Sequence, residues 1–100
     1  MIKYLKEDNF LEQVDKGLTL VDFYADWCGP CQMLAKVIEG LDLDFDVLKV
    51  NVDEFMDLSL NYGVMNIPTL ILFKDGNEVA KLVGLHNKED LLKFIEDNRK

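Results

Sequence analysis

"LTLVDFYADWCGPCQMLAKVIEGL", residues 18–41, decides the fold. Its first seven residues, "LTLVDFY" (18–24), are short, β-branched and aromatic, and apolar on both faces except at Asp22. That pattern predicts a buried strand. From Pro30 onward, Leu34, Val37, Ile38 and Leu41 repeat at i, i+3, i+4 and i+7, the spacing of an amphipathic helix. Pro30 fits the first turn, where a missing N–H costs nothing. Both cysteines of the chain, Cys28 and Cys31, fall where strand gives way to helix.

Working outward, the same two periods alternate. "NFLEQVDKG" (9–17) carries Phe10, Leu11 and Val14 at helical spacing, with Asn9 and Glu12 placed for a capping box. "DVLKVNV" (46–52) reads as a strand, and Asp53 is placed to cap a short helix ending near Tyr62, with Gly63 as its stop. "TLILF" (69–73) and "EVAKLVG" (78–84) flank Asp75-Gly76, a hairpin signal. Asn87 is placed to cap a last helix through Leu91, Phe94 and Ile95, and "IKYL" (2–5) offers an edge strand. Alternation first and a hairpin last predicts an α/β fold: a mixed sheet of four to five strands with about four helices on its two faces. The sequence has no repeat, linker or low-complexity tract, so residues 1–100 are expected to form a single domain.

Composition narrows the function. With 49% hydrophobic residues, a chain of 100 residues buries about 65% of its unfolded surface, so no covalent staple is obligatory. Asp and Glu outnumber Lys and Arg 19 to 11, and the net charge of -8 disfavours nucleic acid and anionic membranes as partners. No apolar run approaches the roughly 18 residues that span a bilayer. The opening "MIKYLKEDNF" lacks the apolar core of a secretory signal. The expectation is a cytoplasmic protein, where a permanent disulfide would be unusual.

Three readings of the cysteine pair compete. As a staple, a bond between Cys28 and Cys31 closes a very short loop and contributes about 2 kcal/mol, the low end for a disulfide. As a metal clip the pair lacks partners: structural zinc takes four ligands, and the chain offers 2 Cys and 1 His. No metal is expected, and His86 is given no role. As a redox couple the spacing fits, since side chains three apart at a helix start lie about 5–6 Å apart at Cβ. The helix N-terminus presents unpaired N–H groups and positive dipole charge, which favour a thiolate. Cys28, at an exposed tip, is expected to attack, and Cys31, one turn in, to be shielded and to resolve.

"VDFYADWCGPC" (21–31), "YGVMNIPTLILFKDG" (62–76) and "VGLHNKEDLLKFI" (83–95) together resemble the thioredoxin family, in order and spacing, across the whole chain. The resemblance implies the thioredoxin fold and a protein-disulfide reductase working through the CGPC dithiol. It implies Cys28 as nucleophile, Cys31 as resolving cysteine, and Gly29 and Pro30 as the pair that tunes the couple. It makes Asp22 a buried aspartate that handles protons, and Lys49 a lysine near that aspartate. It makes Pro68 a cis-proline facing the disulfide, and Trp27, Ile67 and Gly84 walls of the groove that receives substrate chain. The partners it implies are disulfide-containing proteins and a thioredoxin reductase, which supplies the electrons. No bound cofactor is expected, and the protein is expected to be a monomer.

Without the resemblance, Asp22 also reads as a strand-end aspartate facing solvent, and Lys49 as a solvated strand-end lysine. Three positions depart from the family pattern. Gln32 stands where Lys or Arg is frequent, Lys36 where a helix-kinking proline is frequent, and Leu85 where a smaller residue is common. Lys36 leaves the helix straighter, or bent elsewhere, as at Gly40. The competing reading from another class is a binding module whose dithiol is incidental; docking alone requires neither Asp22 nor Pro68. Within the enzyme class, the Gly29-Pro30 dipeptide and the acidic charge rank reduction above a glutaredoxin-like or oxidising role.

Overall fold

The computed structural model describes residues 1–100. In chain order the elements are β1 (Ile2–Tyr4), α1 (Phe10–Val14), β2 (Leu18–Tyr24), α2 (Gly29–Glu39), β3 (Asp46–Asn51), α3 (Met56–Asn61), β4 (Thr69–Lys74), β5 (Asn77–Val83) and α4 (Lys88–Asn98). One sheet of five strands runs in the order β1-β3-β2-β4-β5. Its first three strands are parallel, and β4 and β5 are antiparallel to their neighbours. The expected mixed sheet with four helices is therefore the fold.

β2 is the middle strand, paired with β3 on one side and β4 on the other. Both its edges are hydrogen-bonded and both its faces are covered, so residues 19–23 are all buried. On one face Val21, Phe23, Leu48, Val50, Ile71 and Phe73 pack with α1 and α3. Phe10, Tyr62 and Phe73 form a ring triangle there, each pair 5.4 Å apart at the centroids. On the other face Leu20, Val47, Leu70 and Leu72 meet Leu34 and Ile38 of α2 and Leu91 and Ile95 of α4. Each such side chain contributes roughly 1.5–3 kcal/mol by leaving water. Asp22 shares the parity of Leu20, so it faces α2, the helix that carries Cys31.

The β4–β5 hairpin turns at Asp75 and Gly76, whose φ values of 50° and 85° fit the turn with both central residues left-handed. Asp75 Oδ1 also accepts the Gly17 N–H at 2.8 Å, tying the turn to the loop before β2. Asn87 caps α4 as the sequence predicts, its Oδ1 accepting the Asp90 N–H at 2.8 Å.

Four local expectations fail. Asn9 precedes α1 but makes no side-chain cap bond, and its buried Oδ1 has no partner. Leu11, counted with the apolar face of α1, is exposed. Asp53 does not cap α3, whose N-cap is Phe55; its carboxylate is engaged elsewhere. Gly40 does not bend α2 but ends it, its N–H closing on Val37 and Ile38 carbonyls.

Candidate active site

The dithiol sits where β2 emerges from the sheet and α2 begins. Cys28 is the N-cap of α2, with extended backbone angles, and Gly29 and Pro30 make its first helical positions. Extended geometry at an N-cap aims the side chain back at the open first turn. The Cys28 Sγ accordingly accepts the Cys31 N–H at 3.2 Å. The two Cα atoms are 5.2 Å apart, and the sulfurs are joined in a disulfide. A donor from the backbone aimed at Cys28 lowers the energy of a charged sulfur at that position, with the helix dipole adding to it.

Exposure corrects one expectation. Cys28 is not an exposed tip: it is 5% exposed and Cys31 3%, so solvent access does not distinguish them. Tyr24, Val52 and Ile67 pack around the pair, and the Ile67 carbonyl oxygen lies 3.9 Å from the Cys28 Sγ. What distinguishes the sulfurs is the N–H bond to Cys28.

Ile67 is joined to Pro68 by a cis peptide bond. The Pro68 carbonyl accepts the Gly84 N–H at 2.8 Å, which ties the two loops beside the disulfide. Gly84 has φ of 95°, a left-handed conformation that excludes most side chains. Neither the N–H nor the C=O of Ile67 is paired with another backbone group of the chain. Met65 and Leu85, near Ile67 and Gly84 in the chain, are exposed apolar side chains. On the opposite side Trp27 is 71% exposed, an unusual state for the largest side chain. Its Nε1–H donates to the Asp53 carboxylate at 2.9 Å, while the Asp53 N–H donates to the Asn51 Oδ1, also at 2.9 Å. Asp53 belongs to the site and the sequence reading missed it; only its fixed offset after β3 hints at it.

Behind the dithiol, Asp22 is fully buried. Neither carboxylate oxygen has a hydrogen-bond partner. Burial pushes its pKa up from 3.8 to about 6, against the pull of the Lys49 ammonium. Lys49 is the register partner of Asp22 on β3, with Nζ 3.8 Å from the Asp22 Oδ2, too long for a hydrogen bond. Lys49 is 8% exposed, so both solvent-facing readings are wrong. The middle strand cannot present Asp22 to water, and the row it belongs to draws Lys49 inward. Gln32 does not replace a cation near the sulfurs; its amide donates back to the Asp26 carbonyl at 2.9 Å. His86 stays apart, its Nε2 2.9 Å from the Val83 carbonyl oxygen.

The family model for Thioredoxin matches residues 1–97. The chain belongs to the thioredoxin family. It is 45% identical over 101 residues to a thioredoxin from Chlamydia caviae, covering 98% of this chain and 99% of that one. It is 48% identical over 94 residues to one from Staphylococcus saprophyticus, covering 90% of each. Among solved structures, a mutant thioredoxin from Halobacterium salinarum superposes with a TM-score of 0.89 at 44% identity, covering 99% of this chain and 91% of that one. The thioredoxin of Malassezia sympodialis gives 0.82 at 28%, covering 100% and 92%. Membership of the thioredoxin family and a closed Cys28–Cys31 pair at a helix start make the site that of a thiol–disulfide oxidoreductase. No helix of the chain is long and apolar enough to cross a membrane.

Proposed function

We propose that this chain reduces disulfides in other proteins through Cys28 and Cys31, working in the cytoplasm as a monomer. The observation that carries the reading is the Cys31 N–H aimed at the Cys28 Sγ at the start of α2. In the reduced form that bond and the helix dipole hold Cys28 as thiolate. The thiolate attacks one sulfur of the substrate disulfide; the substrate S–S bond breaks, a mixed disulfide forms, and the departing substrate sulfur takes a proton from solvent. Asp22, ionised, accepts the Cys31 proton through a water, and the Cys31 thiolate attacks the Cys28 sulfur. The mixed disulfide breaks, the substrate leaves with its second thiol, and two electrons have moved to the substrate. A separate thioredoxin reductase returns them, so the chain needs no cofactor of its own.

Substrate chain lies between Trp27 and the Ile67–Pro68 and Gly84 loops, pairing with the free backbone groups of Ile67. Gly29 and Pro30, which form the first turn without bulk, set how readily the dithiol closes. The test is turnover of a disulfide-bearing protein with dithiothreitol as electron source. Cys28→Ser is expected to be inactive, and Cys31→Ser to accumulate a mixed disulfide at Cys28 detectable by intact mass. Turnover by Cys28→Ser at the parent rate would falsify the reading.

A further inference from the structure

Lys49 has a nearly buried ammonium with no hydrogen-bond acceptor in the chain. A charge in that state is costly unless something replaces its water. Two ring faces do. The Nζ lies 4.7 Å from the Tyr24 ring centroid and 5.6 Å from that of Tyr4, within the range of cation–π attraction. The rings brace one another edge to face, 6.3 Å apart at 78°. Tyr4, Lys49 and Asp22 are register partners across β1, β3 and β2, and Tyr24 follows Asp22 by two. Paired residues share a face of the sheet, and so do residues two apart. All four therefore stand on the α2 side.

We propose that Tyr4 and Tyr24 are positioning residues: their ring faces cage the Lys49 ammonium beside Asp22 and so set the pH range over which Asp22 exchanges its proton with the dithiol. The cage stands between the acid and the sulfur. Tyr4 and Lys49 wall a cavity of about 20 Å³ over Asp22, room for one water, and also an opening of about 200 Å³ that reaches Cys31. Held by the rings, the ammonium stands 3.8 Å from the Asp22 Oδ2, and both carboxylate oxygens are without a hydrogen bond. Other groups facing this row are Glu39 and Cys31 from α2, with Asp26 and Glu54 acting on Tyr24. From β4 the neighbour of Asp22 is Leu70, which carries no charge. Without the rings, nothing but Asp22 holds Lys49, and its flexible stem carries the head to water through the same opening.

The inference rests on the proton role given to Asp22, but its test does not require turnover. The carboxyl ¹³C shift of Asp22 is titrated in the oxidised protein, and the Lys49 Hε shifts report ring proximity. Tyr4 is 54% exposed, so Tyr4→Leu is tolerable to the fold, and Tyr24→Leu is its inner counterpart. Each Leu variant is expected to raise the Asp22 midpoint by about half a pH unit and to diminish the ring-current shift at Lys49. Tyr4→Phe and Tyr24→Phe, which keep the faces, are expected to retain both parental values. Lys49→Met sets the ceiling, a rise of about 1 unit or more. Leu variants that titrate with the parent, or below it, overturn the cage. So does an unchanged midpoint in Lys49→Met. Failure of the reductase reading itself shows separately, as turnover without Cys28.

Discussion

The Trp27 indole and the Asp53 carboxylate are joined by a 2.9 Å hydrogen bond across 26 residues of sequence. One lies at the end of the β2–α2 loop, the other in the turn after β3, so the bond fixes two loops that border the disulfide. An exposed indole without such an anchor would sweep several rotamers and lose that freedom on each docking event.

Asp53→Ala is therefore expected to lower kcat/KM for protein disulfides about fivefold, the value of one ordinary hydrogen bond. Turnover of a small-molecule disulfide is expected to stay unchanged, because it needs no indole wall. Trp27 is the sole tryptophan. A lowered emission anisotropy in the variant reports the released ring directly; equal anisotropy refutes the anchor.

Asp22 inverts the usual acid dependence of a carboxylate. Its pKa is raised on folding, from 3.8 to about 6, so the native state binds the proton more tightly than the unfolded chain. Its contribution is fully present below pH 3.8, is lost as pH rises toward 6, and above that amounts to about 3 kcal/mol of destabilisation. Asp22→Asn removes the titration. The stability gain of that variant over the parent is expected to grow by about 3 kcal/mol from pH 3.5 to pH 7.5, read by urea unfolding at each pH. A constant difference contradicts the burial penalty.

The same substitution is expected to slow release of substrate from the mixed disulfide by about 100-fold, the low end of general-base contributions. In the parent the release rate rises with pH through about 6, as Asp22 ionises and gains the capacity to accept. In Asp22→Asn that inflection is absent. Stopped-flow release at pH 5, 6, 7 and 8 checks both; an inflection retained in the variant assigns the proton elsewhere.

Gly84 holds the Pro68 carbonyl from a backbone with φ of 95°. Gly84→Ala meets no atom within 4 Å, so sterics with neighbours are not the issue. The left-handed conformation costs about 1–2 kcal/mol for an L side chain. Thermal unfolding is expected to fall accordingly, together with weaker substrate docking. A variant as stable as the parent shows that the loop relaxes freely.

Leu34 is fully buried where α2 meets β2. Leu34→Ala is expected to cost about 2–5 kcal/mol in chemical denaturation. Cys28 remains at the helix start, so the reduction potential is expected to stay put. A displaced potential with intact stability reverses the assignment.

Residues 18–41 carried most of what was legible. β2 reads as a buried strand because both faces are apolar, and α2 because its apolar positions recur every third or fourth residue. The hairpin was legible in Asp75-Gly76, where both residues adopt positive φ. Caps were less so. Asn9 and Asp53 have the right side chains at the right offsets, yet Asn9 stays unbonded and Asp53 turns to Trp27. A cap offset states local opportunity, and a tertiary partner overrides it. The burial of Cys28 and Lys49 was hidden for the same reason: what covers them, Ile67 in one case and Tyr4 in the other, is distant in sequence.

The two borders of the sheet are unequal, and neither invites another chain. One border is a strand of three residues, β1; the other, β5, is seven residues long. The long one is interrupted by a register shift between Leu72 and Phe73 of its neighbour, and carries Glu78 and Lys81. A kinked, charged rim is a poor template for edge-to-edge addition. That rim discourages self-templated fibrillation along the sheet, and a concentrated solution of the oxidised protein should resist seeding for that reason.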